Sequence, residues 1–249
     1  MKREFHADRP ELMDRPQPVT RALETDLDNL VSLNRRFGSH RLVRKFLARW
    51  LNGGRCYRVL DLCTGAGDIP RMMLDWARPR EITLRIDAVD ANASTLEIAR
   101  QHSAAYPEIH FIQDDVLKFE GGESYDLVCC SLALHHFSED DAVRLLRSCS
   151  EHSHRWVLVA DLERSPATSL AVWALTAALY REPMTRFDGR LSARRAFSFR
   201  EFHALAVAAG WKDFRHARFL ACRQAMWTDA RKYAGIPEAA MPESLPSPA

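Results

Sequence analysis

The run Tyr57-Arg58-Val59-Leu60-Asp61-Leu62, followed by Cys63-Thr64-Gly65-Ala66-Gly67-Asp68-Ile69-Pro70, constrains this chain more than any other segment. A short apolar stretch ends in an acid and passes into a tight turn whose glycines reach backbone conformations closed to most residues. Helix-forming sequence follows. In an open parallel sheet a turn of this kind lies at the carboxyl edge, where backbone amides and a helix N-terminus meet a nucleotide-like ligand. A dinucleotide turn needs three glycines spaced G-x-G-x-x-G. Here Pro70 stands where the third would be, which argues against NAD.

Strand and helix patterns alternate on either side of this turn. Strands are predicted over 58–62, 84–89, 109–113, 125–131 and 156–160, with helices over 69–77, 93–102 and 140–149. That alternation implies right-handed crossovers and a parallel sheet. Upstream, Leu23, Leu27, Leu30 and Leu33 share one helical face, Gly38 interrupts, and Leu42, Val43, Phe46, Leu47 and Trp50 continue the stripe. Two amphipathic helices packed on the sheet are expected over 22–51.

Beyond Asp161 the alternation stops. Residues 164–197 are expected to form a helical insert with a charged loop over 186–195. Ser198-Phe199-Arg200-Glu201 is a capping box opening a helix that ends near Gly210. The stretch from Phe214 through Cys222 to Trp227 supplies a last antiparallel hairpin. Residues 1–20, with Pro10, Pro16 and Pro18, are expected to be a loosely held arm. Residues 233–249, with Pro237, Pro242, Pro246 and Pro248, are expected to be a disordered tail. The fold class is thus α/β, a doubly wound, mostly parallel sheet in a single domain over 21–232.

Composition excludes several functions. The chain has 35 basic and 33 acidic residues for a net charge of +2, which gives no basic excess for a nucleic-acid partner. No apolar stretch reaches the ~20 residues that span a bilayer. The six cysteines (Cys56, Cys63, Cys129, Cys130, Cys149, Cys222) include no C-x-x-C pair and no zinc spacing. A reducing cytoplasm fits them, and no metal site is expected.

The acid-x-x-x-Gly-x-Gly form of Asp61 to Gly67 resembles motif I of the class I S-adenosylmethionine-dependent methyltransferases. The resemblance implies roles for residues at successive strand ends. Asp61 would lie near the methionine moiety. Asp90, closing Ile86-Asp87-Ala88-Val89-Asp90, would accept both ribose hydroxyls, and Asp115 would meet the adenine amino group, with Val116 supplying its backbone. The expected cofactor set is Asp61, Gly65, Ala66, Gly67, Asp90, Ala91, Asp115, Val116, Ser131 and Arg35, the last from a helical region that in this family closes over S-adenosylmethionine. Cys63 stands where many relatives have glycine.

Strand four ends in Ser131-Leu132-Ala133-Leu134-His135-His136-Phe137. The Asn-Pro-Pro-aromatic motif with which DNA-amine and protein-glutamine methyltransferases grip a planar nitrogen is absent. Histidine beside the transferred methyl suits a hydroxyl nucleophile, whose proton must be taken near neutral pH. His135 is the expected base, Asp161 its orienting acid, and His136 the second candidate.

Over 28–225 the chain is similar to bacterial methyltransferases often encoded beside type III polyketide synthases. The similarity is carried by Leu33-Asn34-Arg35 with Phe37-Gly38, Asp161-Leu162-Glu163-Arg164-Ser165, and Asp188-Gly189 leading to Ala193-Arg194-Arg195-Ala196-Phe197. It implies O-methylation of a small phenolic or polyketide-derived acceptor, and the sequence is compatible with either a monomer or a homodimer. Alternatives are C-methylation of an activated aromatic ring and a non-catalytic cofactor-binding protein.

Overall fold

The computed structural model describes residues 1–121 and 124–228. Helices α1 (Arg21–Arg36) and α2 (Ser39–Trp50) precede strand β1 (Cys56–Leu62) and helix α3 (Asp68–Ala77). Then come β2 (Thr83–Asp90), α4 (Ala93–His102), β3 (Ile109–Gln113), β4 (Tyr125–Ser131), α5 (Glu139–His152) and β5 (Ser153–Leu162). The insert is α6 (Pro166–Leu179) and α7 (Pro183–Arg195), followed by α8 (Phe199–Ala208), β6 (Phe214–Phe219) and β7 (Arg223–Thr228).

The seven strands lie in the order β3-β2-β1-β4-β5-β7-β6. Strands β1 to β5 pair in parallel, and β7 pairs antiparallel with both β5 and β6. The strand order reverses between β1 and β4, so their carboxyl ends, Leu62 and Ser131, flank the crevice where such sheets bind ligands.

Both faces of the sheet are covered, which is why its strands are almost continuously apolar. Alternate residues feed two cores. Val59, Leu127, Cys129 and Leu158 face Phe46, Trp50, Met73 and Trp76 of α2 and α3. Leu60, Val128, Cys130 and Val159 face Leu145, Leu146 and Phe202 of α5 and α8. Phe46 also lies 4.9 Å from the ring of Trp227, so α2 helps hold the C-terminal hairpin on the sheet.

Two expectations are corrected. Residues 186–195 are not a charged loop but most of α7. Glu182 caps its N-terminus through the Met184 amide, and Arg186 folds back on the carbonyls of Ala177 and Tyr180 at the end of α6. Residues 1–20 are not loose either. Asp188 of α7 accepts the amides of Leu12 (2.7 Å) and Met13 (3.0 Å), Asn92 donates to the Met13 carbonyl (2.9 Å), and Ser94 donates to the Gln17 carbonyl. Prolines that looked like marks of disorder sit in a segment strapped across the carboxyl edge of the sheet. The tail expected over 233–249 lies outside the described residues.

Asp188→Ala removes both acceptors that hold the backbone at 12–13. Endoproteinase Glu-C is then expected to cut after Glu11 well before it cuts the core, while the wild-type protein resists there. Mass spectrometry of a digestion time course measures this.

Candidate active site

The glycine turn is held open from its far side. Cys63, Gly65 and Gly67 have φ of 59°, 53° and 70°, so three left-handed residues reverse the chain within five positions. Only the first bears a side chain, at the place expected to carry glycine. The Gly65 amide donates to Asp90 Oδ2 (2.8 Å), and the Thr64 amide donates to the Val89 carbonyl (3.0 Å), which locks the turn to the end of β2. A Cβ on Gly65 would meet nothing within 4 Å, whereas one on Gly67 would press on Phe111 at 3.1 Å. Gly65 therefore faces open space, and Gly67 is needed for close packing.

A cleft of about 840 Å³ opens above this turn, within the range of small-molecule sites. Of the residues expected to hold a cofactor, Asp61, Gly65, Ala66, Asp90, Ala91, Asp115, Val116 and Ser131 line it. Gly67 supports the turn from behind. Arg35 is a correction: it is exposed and borders a separate, smaller hollow beside Arg71 and Trp76. Successive residues of a helix point ~100° apart, and its neighbour Asn34 is the one turned to the cleft, where it donates to Asp68 Oδ2 (3.2 Å).

The donor-side end of the cleft is acidic. Asp61 is buried, and burial, reinforced by Asp68 and Asp90 nearby, pushes its carboxyl up to about 7. Burial also raises Asp90, against the stabilising amides of Asn92 and Gly65. Each Asp90 oxygen accepts one of those amides, Asn92 at 3.0 Å and Gly65 at 2.8 Å. Each keeps a second lone pair, enough for a vicinal diol. Asp115 is committed differently: its carboxylate accepts the Leu117 amide (3.0 Å) and pairs with Lys118 (3.1 Å), while Val116 forms a buried wall. The Ser131 Oγ is buried without a hydrogen-bond partner among the described residues.

An acidic pole, a diol-sized carboxylate, an apolar wall and an unsatisfied hydroxyl fit S-adenosylmethionine, which carries an ammonium, a sulfonium, a ribose and an adenine. Asp90 would hold the ribose, Asp61 the cationic end, and Val116 the ring.

The opposite end of the cleft is built on Asp161, the last acid of β5 and fully buried. It accepts His135 Nδ1 (2.7 Å), the His135 amide (2.9 Å) and the Leu162 amide (2.7 Å). Burial opposes its charge, but the His135 contacts and these amides hold Asp161 below the usual carboxylate range. Burial in turn lowers His135, so the imidazole is neutral, with its Nδ1 proton on Asp161. The lone pair on His135 Nε2 is left facing the cleft.

His136 is the opposite case. Its Nδ1 lies 2.6 Å from Asp14 Oδ2, and the charge and hydrogen bond of Asp14 lift it, against burial, to about 10. It is an imidazolium paired with a carboxylate. Two adjacent histidines thus carry different charges because their partners differ.

Glu11 completes the group, 3.7 Å from His135 Nε2 and 4.0 Å from His136 Nε2. Burial pushes it up to about 8, so it is a neutral carboxylic acid at pH 7. The Ser192 hydroxyl lies 2.9 Å from Glu11 and 2.8 Å from the Asp188 carbonyl. Its one proton is shared between these two acceptors. Arg3 braces the same turn, donating to the carbonyls of His135 (3.1 Å) and Phe137 (2.7 Å) and stacking on Phe197.

Glu11, Asp14, Ser192 and Arg3 escaped the sequence reading. Three of them sit in the proline-bearing segment, and no periodicity marks a residue that a distant aspartate pulls into place.

Residues 59–154 match the family model described as a methyltransferase domain. The 2-phytyl-1,4-naphtoquinone methyltransferase of Thermosynechococcus vestitus is 37% identical over 81 residues, 32% of this chain. The chain matches 35% of that curated relative's length. Human N-acetylserotonin methyltransferase, solved in complex with SAM, has a TM-score of 0.61 at 17% identity, over 83% of this chain and 55% of that one. An O-methyltransferase family protein from Burkholderia thailandensis gives 0.61 at 17%, over 83% and 59%. Magnesium protoporphyrin IX methyltransferase from Synechocystis, solved with SAH, gives 0.54 at 16%, over 86% and 90%. At these identities the likeness is one of fold. The chain therefore has the class I methyltransferase fold, and its residues 59–154, from within β1 to the start of β5, match a methyltransferase-domain model.

Proposed function

We propose that this protein is an S-adenosylmethionine-dependent methyltransferase acting on a hydroxyl of a small phenolic or polyketide-derived acceptor. The observation that carries the reading is a neutral His135 whose Nδ1 is fixed on buried Asp161 at 2.7 Å and whose Nε2 is turned into the cleft. When bound, S-adenosylmethionine supplies an electrophilic methyl group. His135 Nε2 takes the acceptor's hydroxyl proton, and Asp161 keeps the ring oriented and steadies the imidazolium that results. The His136 imidazolium and the neutral Glu11 carboxyl line the same cavity as hydrogen-bond donors, suited to the negative charge that gathers on the acceptor oxygen. Val172 and Leu175 of α6 supply an apolar wall for an aromatic ring.

A ring-carbon acceptor is the second reading, favoured by the naphthoquinone relative, because the same base can ionise a phenol whose ortho carbon then reacts. Proton NMR of the product separates the two, since O-methyl and aryl-methyl groups resonate apart. An aryl-methyl signal overturns the first reading.

Isothermal titration tests the donor site. Asp90→Ala is expected to weaken S-adenosylmethionine by about tenfold or more, the scale of losing charge-assisted bonds to two hydroxyls. Absence of binding by the wild-type protein removes the proposal. The affinity has a pH dependence with a definite sign. Asp61 ionises near 7, so the cation should bind more tightly as pH rises from 6 to 8. Proton release should appear when the titration is repeated in buffers of different ionisation heat.

His135→Asn keeps a donor for Asp161 but supplies no base. It is expected to lower kcat by about 10²- to 10⁴-fold with donor affinity unchanged. Full activity at neutral pH would exclude His135 from proton transfer.

A further inference from the structure

Helix α6 contains no charged residue from Pro166 to Leu179, and it is apolar on both sides. Val172 and Leu175 line the cleft, while Leu170 is 68% exposed, Trp173 54% and Leu179 51%. Pro166, Ala167, Ala171, Ala174 and Ala178 are exposed between them. A helix apolar all round belongs in a protein core or against lipid. On α7, Phe187 is also exposed, and Met1 touches Ser169 at the start of α6. These side chains are five of the eight large exposed hydrophobics among the described residues, and Leu170 and Trp173, three residues apart on α6, share one exposed face.

The rim of this patch is basic. Arg190 of α7 stacks over Trp173 at 5.4 Å, Arg181 is exposed just past the end of α6, and Lys2 is exposed beside Met1. The acids of the insert are Glu182, which caps α7, and the buried Asp188, which holds the N-terminal segment. An apolar face with an aromatic at its centre and cations around it matches the headgroup layer of an anionic bilayer. A second copy of the chain fits less well, because a two-fold contact through α6 would set the two basic rims side by side.

We propose that α6, with the adjoining edge of α7, is a docking surface for anionic membranes. The helix lies flat in the headgroup region, with Leu170, Trp173 and the adjoining exposed Ala174 facing the acyl chains. No helix among the described residues is long and apolar enough to cross a bilayer, and none needs to. Ala171 is both exposed and part of the cleft wall, so the docked surface borders the mouth of the cavity. The proposal does not depend on the chemistry read for that cavity.

Trp173 makes the test specific. The other five tryptophans, Trp50, Trp76, Trp156, Trp211 and Trp227, are at most 9% exposed. The full chain, without cofactor or acceptor, is mixed with vesicles of phosphatidylglycerol and phosphatidylcholine, or of phosphatidylcholine alone, and floated through a density step. Co-flotation is expected with the anionic vesicles only, weakening as salt is raised. Vesicles with brominated acyl chains should quench part of the tryptophan emission, and Trp173→Phe should abolish that quenching while leaving flotation in place. Leu170→Glu with Trp173→Glu should cut the bound fraction at least about tenfold, the factor that burying one such side chain is worth. An unchanged melting temperature shows that this variant is folded. Flotation that is absent from anionic vesicles, or unaltered by the paired substitution, overturns the proposal. So does a dimer at sedimentation equilibrium that the same substitution dissolves, because a second copy then covers the face. Methyl transfer enters none of these readouts.

Discussion

The buried carboxylate of Asp161 organises the acceptor side of this molecule. It ends β5, and three hydrogen bonds converge on it from the His135 ring, the His135 amide and the Leu162 amide. A lone buried charge is costly, and only this full complement of donors makes it tolerable. Satisfying it fixes the short helical turn after β4, the tautomer of His135 and the direction of Nε2. The packing of β4 against β5 in the sheet is therefore what aims the imidazole.

A second constraint acts from outside the sheet. Asp188 clasps the backbone at Leu12 and Met13, and this places Glu11 and Asp14 over the two histidines. Helix α7 is itself tied to α1, since Thr185 donates to Asp26 at 2.6 Å and accepts from Asn29 at 3.0 Å. The first twenty residues, the first helix and the insert thus form one frame around the cleft, joined by polar contacts between segments distant in sequence. Such a frame sets the charge states of the two histidines, one neutral and one cationic.

Local signals carried the sheet. The helix over 93–102 and the strands over 109–113 and 125–131 were legible to the residue, because apolar periodicity and turn residues report structure that neighbours in sequence determine. The glycine turn, Asp90 and the His135–Asp161 pair were legible because strand ends are predictable places. Arg35 failed because the choice between it and Asn34 depends on helix rotation, which tertiary packing decides. The α7 stretch read as a loop because its polar residues bond to α6 and to the N-terminal segment rather than facing water. Glu11 and Asp14 were invisible for a related reason: their importance comes entirely from a partner more than 170 residues away.

Cys63, at the left-handed start of the glycine turn, also faces the cleft. A thiolate there would be a stronger nucleophile than any phenol and a target for the protein's own methyl donor. Contact with the Cys130 thiol, together with burial, pushes Cys63 well above its ordinary value and keeps it as the unreactive thiol. The pairing with Cys130 thus keeps a sulfur at the cleft wall in its protonated form.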